Sequence, residues 1–296
     1  MSRLFITVSI IFLAVSCKNS NKNFDASGIF EATEIIVSSE ANGKLLQFNV
    51  EEGQRVAAGE KLGYADTTQL HLSKLQLLQS AKSVGSRQLN ISKQIAATQE
   101  QIASQQREKA RTERLIEANA ANTKQLDDIN TGIAILERQL AAQQESLESS
   151  NRSISEQSSS VEIQVAQIKD LIAKSNVVSP ITGTVLVKYA GQGEFTSIGK
   201  PLFKVGDIEN MLLRAYITSG QLTQLKIGQE VKVFADYEDK GKREYDGTIT
   251  WISDKSEFTP KTIQTRDERA NLVYAVKIAV KNDGLIKIGM YGDVRF

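Results

Sequence analysis

The sequence predicts an elongated α+β chain of several domains, with a long antiparallel α-helical hairpin set into a split β domain and more β structure after it. Three observations carry this. The prolines Pro180, Pro201 and Pro260 all lie after residue 179, and only Gly85 and Gly132 interrupt a Gln-, Ser-, Ala-, Glu- and Lys-rich stretch from Thr67 to Ala173. Apolar residues recur in that stretch at alternating steps of 3 and 4, as a coiled coil requires. The two flanks of the stretch match each other without a gap at an offset of 140 residues.

Composition narrows the chemistry. The 296 residues carry 36 Lys plus Arg against 35 Asp plus Glu, a net charge of +1, so no strong field favours nucleic acid or an anionic surface. One Cys excludes an internal disulfide, a Cys-rich zinc site and a CxxC pair. With one His, a His metal cluster or a Ser-His-Asp triad would have to be built on His71 alone, at the start of the first helix, where a junction residue is expected. The sequence offers no catalytic site, no cofactor site and no G-x4-GK[ST] phosphate loop.

The N-terminus reads MSRLFITVSIIFLAVSC. Arg3 precedes an apolar run from Leu4 to Val15, too short for the roughly 20 residues that span a bilayer but suited to a secretory signal. Ala14-Val15-Ser16-Cys17 resembles a bacterial lipoprotein signal with Cys17 as the lipidated residue, although Ala14 stands where Leu is usual. Residues 18–27 read as a polar tether. The expectation is an exported chain held at one end by a lipid.

In the hairpin, the descending seam runs Leu77, Ala81, Val84, Gln88, Ile91, Ile95, Thr98, Ile102, Gln105, Lys109, Thr112, Ile116. The returning seam runs Leu126, Ile129, Ile133, Leu136, Leu140, Gln143, Leu147, Ser150, Ile154, Gln157, Val161, Gln164, Ile168, Leu171. Arms of about 50 residues give a rod roughly 75 Å long at 1.5 Å per residue. The turn falls at 118–123, where Asn122 or Thr123 can cap the second helix. Polar seam positions weaken an isolated coil and favour packing beside other copies.

In the flanking repeat, Gly43, Gly53 and Gly59 align with Gly183, Gly193 and Gly199, and Leu62 aligns with Leu202. The glycines fit tight turns. Two such halves resemble the biotinyl/lipoyl domain. A lipoyl domain interrupted by a long hairpin resembles the periplasmic adaptors, or membrane fusion proteins, of the hemolysin-secretion-D (HlyD) type. A covalent-cofactor carrier would need a Lys on an exposed turn, but Thr67 stands there, so the carrier reading is set aside.

After Asp207, strands are predicted at Met211–Ile217, Glu230–Ala235 and Gly247–Ile252, with Trp251 in the core and a short helix from Ser219 to Leu225. Leu272, Tyr274, Val276, Ile278 and Val280 alternate along another strand, and a last one runs from Asp293 to Phe296. The resemblance implies a membrane-proximal domain from 28–36 plus 262–296 and a lipoyl-like domain from 37–66 plus 174–207. The hairpin takes 67–173 and a small β-barrel takes 208–261. It also implies a barrel-to-membrane-proximal linker at Thr259, Pro260, Lys261, Gln264, Thr265 and Arg269, similar to that of adaptors serving ABC exporters.

At the tip, Arg111, Leu115, Asn122 and Thr123 resemble the channel-docking spacing of adaptors that meet a TolC-type outer-membrane channel, with Asn122 where Ser is usual. The resemblance implies a non-enzymatic adaptor between an inner-membrane ABC exporter and that channel, working as a homo-oligomeric ring of six copies. Alternatives are the adaptor of a proton-driven RND or MFS pump and a structural coiled-coil lipoprotein.

Overall fold

The structure is a computed structural model that describes residues 24–237, 241–257 and 272–296. Cys17 and the linker residues Thr259, Pro260, Lys261, Gln264, Thr265 and Arg269 lie outside the described residues.

The internal repeat becomes a pair of interlocked half-domains. β1 (Ala26–Ser38) leads into β2 (Gly43–Phe48), β3 (Arg55–Val56) and β4 (Lys61–Ala65). After the helices come β5 (Asn176–Val178), β6 (Gly183–Lys188), β7 (Phe195–Thr196) and β8 (Pro201–Thr218). Each half lends its short strand to the other: β2 pairs with β7 through Gly43↔Thr196, and β6 pairs with β3 through Val56↔Gly183. The turns exchange bonds in the same reciprocal way. Gly53 donates to the Val185 carbonyl and Gly193 to the Leu45 carbonyl, both at 2.8 Å. Leu45, Phe48, Val56 and Leu62 from one half and Val185, Leu202, Phe203 and Val205 from the other make one buried core. Neither half closes a core alone, which is why a chain can leave and return between them without unravelling the domain.

Three helices fill that interval: α1 (Thr68–Gly85), α2 (Ile91–Glu117) and α3 (Thr123–Lys174). The descending arm, expected to be continuous, is broken at Ser86–Asn90. Gly85 ends α1 and the Asn90 side chain caps α2, accepting from Lys93 N at 3.1 Å. Gln88, expected on the seam, falls in the break and is exposed. Asn151 of α3 bridges the gap: its Oδ1 accepts from Leu89 N and its Nδ2 donates to Leu89 O, each at 2.8 Å. Val84, Ile95, Thr98, Ile102, Thr112, Ile133 and Val165 are the buried seam residues. Near the base of α3, Val165 is buried while Gln164 is exposed, and Leu171 is 41% exposed. A helix of 3.6 residues per turn drifts by about 20° per heptad from a 3.5 repeat, so the inward side moves on by one residue.

The remaining strands are β9 (Glu230–Tyr237), β10 (Gly241–Glu257), β11 (Val273–Lys281) and β12 (Tyr291–Arg295), with the single-turn α4 (Ser219–Leu222) after β8. Their order, β1-β12-β9-β10-β11-β8 with β8 pairing back onto β1, closes a six-stranded barrel. The expected division into a barrel and a membrane-proximal domain therefore does not describe these strands. Phe30, Val276, Ile278 and Val294 share one core with Leu213, Val233 and Ile249. The physical reason is edge satisfaction. Strands β8, β9 and β10 alone leave unpaired edges, and β1, β11 and β12 remove them. α4 starts at Ser219 as expected but ends at Leu222 rather than Leu225, and its cap is Thr218, whose N donates to the Gln221 side chain at 2.9 Å. Trp251 is 39% exposed rather than core. A register shift between Ile249 and Trp251 inverts the alternation, so Ile249 points in and Trp251 lies outside under the Lys277 ammonium.

Candidate docking tip of the hairpin

The end of the hairpin is built from two asparagines. α2 stops in a Schellman arrangement: Asn119 N donates to Ile116 O at 2.9 Å and Ala120 N to Leu115 O at 2.8 Å. This needs a left-handed residue after the cap, and Asn119 has φ +57°. Asn122 then opens α3, its Oδ1 accepting from Lys124 N at 2.9 Å. Asn122 Oδ1 is thus committed to the turn, and the Thr123 hydroxyl lies 3.5 Å from it. The sequence reading singled out Asn122 and missed Asn119. The signal was available, since Asn is several-fold enriched among the non-glycine residues of that backbone region.

Arg111 and Leu115 are four residues apart on α2 and share an outward face. The Arg111 side chain is 70% exposed, with Glu108 3.8 Å away, a pairing worth little in water. Leu115 is 40% exposed. Between them, Thr112 turns inward and is buried, its Oγ1 without a hydrogen-bond partner. The structure therefore brings Arg111 and Leu115 together as one cationic and apolar spot beside a turn fixed by Asn119 and Asn122. It can offer a guanidinium to carbonyls and a leucine to a groove.

The other singled-out residues lie at the base. Gly43, Gly53, Gly59, Gly193 and Gly199 have positive φ. Gly183 does not, and its constraint is space: a Cβ there would stand 2.5 Å from the Gly206 carbonyl oxygen. His71 sits in the first turn of α1, Nδ1 3.1 Å from Thr67 O, and is exposed. Asp66 starts that helix, its Oδ1 accepting from Thr68 Oγ1 at 2.7 Å and Thr68 N at 2.9 Å. Those two bonds hold its carboxyl below the ordinary value.

A family model described as "RND MFP, barrel-sandwich hybrid domain" matches residues 33–207, more than half of the chain. The chain belongs to the membrane fusion protein family. Its matched interval contains the whole hairpin and both half-domains. Among curated relatives, a UPF0194 membrane protein of Yersinia pseudotuberculosis serotype O:3 (strain YPIII) is 36% identical over 121 residues. That match covers 40% of this chain and 36% of the relative, so the chain spans about a third of that protein's length. Among solved structures, MacA from Actinobacillus actinomycetemcomitans superposes with a TM-score of 0.53 at 20% identity, covering 91% of this chain and 76% of that one. A MacA-MexA chimera containing the Pseudomonas aeruginosa MexA α-hairpin domain gives 0.51 at 22% identity, covering 91% and 79%. These two show the shared fold of this membrane fusion protein. Among the described residues, no helix is long and apolar enough to cross a membrane.

Proposed function

We propose that this chain is the adaptor of a tripartite efflux or secretion system, bridging an inner-membrane ABC exporter and a TolC-type outer-membrane channel. One observation carries the reading. The hairpin rises between the two interlocked half-domains and holds Arg111 and Leu115 at its far end, about 78 Å along the 52 residues of α3. A rod of that length with a recognition spot at its tip suits a bridge between layers, and no catalysis is asked of it. Several copies would form a ring, six being the family expectation, and the transporter would supply the energy. The anchor would be a lipid on Cys17, with residues 18–23 as part of the tether.

A second reading, an adaptor for a proton-driven pump, is favoured by the RND in the description of the matched family model. The ABC reading rests on the Thr259–Arg269 motif. Purification of the assembled complex from native membranes separates them. Recovery of an ATPase and its permease, with export abolished by ATP depletion, supports the ABC reading, whereas loss of export on collapsing the proton gradient alone overturns it. The anchor is tested by Cys17→Ala. Release into the periplasm or blocked processing is expected, and unchanged membrane retention in a strain lacking the transporter contradicts lipidation.

A further inference from the structure

The root of the hairpin stands beside an apolar groove of about 460 Å³. Leu70 of α1 and Leu171 of α3 line it from the hairpin, and Phe195 and Ile198 line it from the turn around β7. Phe195 and Ile198 are 68% and 65% exposed, so packing within the half-domain does not account for either. Large apolar side chains gathered in one exposed place mark a contact site. The volume lies in the range of small-molecule clefts, roughly 300–1,000 Å³. A groove of similar size beside Phe48 and Lys188 is lined mostly by polar groups, so the apolar character belongs to this one.

The rim carries charge of one prevailing sign. Glu40 and Asp66 stand there against the single base Lys44. Asp66 stays ionised at neutral pH, its carboxyl held low by the Thr68 hydroxyl and then the Thr68 amide. Both of those bonds fall on Oδ1. Two nearby lysines are already engaged: Lys174 lies 2.7 Å from Asp170 and Lys200 lies 3.3 Å from Glu194. An exposed aromatic face, aliphatic neighbours and surplus carboxylates are the groups that hold a cation with an apolar body.

We propose that this groove binds an amphipathic organic cation, its apolar body against Phe195, Ile198 and Leu171 and its charge toward Glu40 and Asp66. Such a ligand would touch α1, α3, the β1–β2 connection and the β7 turn at once, and so tie the hairpin root to the half-domain. The site goes beyond the adaptor reading, because binding is a property of this chain alone, whichever transporter it serves.

The test titrates the purified full chain with ethidium, followed by fluorescence anisotropy against a detergent blank. Neutral phenylnaphthylamine and anionic anilinonaphthalene sulfonate serve as uncharged and oppositely charged probes. Ethidium should bind at least about tenfold more tightly than either. Phe195→Ala and Ile198→Ser, at exposed positions, should each weaken it about tenfold, as the loss of a well-buried apolar contact would. Glu40→Gln with Asp66→Asn should weaken ethidium about tenfold and leave phenylnaphthylamine unchanged. Trp251→Ala, at an exposed aromatic residue on the barrel, should change nothing. Equal binding of the three probes, or ethidium affinity indifferent to both Phe195→Ala and Ile198→Ser, overturns the site. Ethidium binding that falls as the chain self-associates would mean that a second copy covers the groove, and overturns it too.

Discussion

Replacing Asn151 by Ala tests whether the break in the hairpin is held by one side chain. Asn151 makes two bonds of 2.8 Å to the backbone of Leu89, whose helical partners are lost where α1 ends and α2 begins. A net hydrogen bond contributes about 0.5–1.5 kcal/mol, so the pair contributes about 1–3 kcal/mol. Two effects reduce this. Water can reach Leu89, which is 39% exposed, and Ala in place of Asn favours the α3 helix by roughly 0.5 kcal/mol. The expected loss is about 1 kcal/mol, concentrated at the break. Hydrogen exchange at the Leu89 amide should therefore quicken several-fold while amides near Val165 stay as they were. The tip should also wander, because the 27 residues of α2 span about 40 Å and a kink of about 20° moves their end by roughly 14 Å. Distance distributions between spin labels at Leu115 and the barrel should broaden. Unchanged exchange at Leu89 together with an unchanged distribution would mean that Asn151 does not hold the break and leave packing at Val84 and Ile95 as the support.

Glycines of two kinds should respond oppositely. In Gly63→Ala the new Cβ would stand 2.3 Å from Gln47 O, so the denaturation midpoint should fall by the equivalent of about 1–3 kcal/mol. Gly59→Asn, at φ +80° with nothing within 4 Å of a Cβ, should be close to neutral in the same assay. Asp66 should confer acid sensitivity at the start of α1. Its carboxyl is held low by the Thr68 hydroxyl and then the Thr68 amide, so its stabilisation is present above about pH 4 and fades as pH falls through the lower folded value. Asp66→Asn should flatten that part of the stability curve, and an unchanged acid limb would contradict the assignment.

The half-domain repeat was legible because its glycines and Leu62/Leu202 keep one spacing, and the structure turns that spacing into reciprocal bonds at Gly53 and Gly193. The hairpin was legible from its 3 and 4 period. Its break was not, because the period runs on past Gln88, and only the Gly85 stop and the Asn90 cap mark the interruption. Barrel closure was illegible for a different reason. It depends on β1 pairing with both β8 and β12, more than 160 residues away in sequence, and no local pattern records such partners. Trp251 was misplaced because a bulge breaks the alternation on which its assignment relied. At the tip, Arg111 and Leu115 came from resemblance, while the backbone that presents them depends on Asn119, which the same resemblance did not mark.

A photo-reactive residue at position 115, in cells carrying the whole system, tests the proposed contact of Arg111 and Leu115 with an outer-membrane channel. Arg111 is exposed and weakly paired, so Arg111→Asp should change stability by no more than about 0.5 kcal/mol. Against channel carbonyls the new acid can cost several kcal/mol. An adduct between this chain and the channel is expected, and it should disappear on Arg111→Asp at normal protein levels together with export. Adducts formed only with other copies of the chain, or full export from Arg111→Asp combined with Leu115→Ser, would contradict it and leave the tip a plain coiled-coil turn.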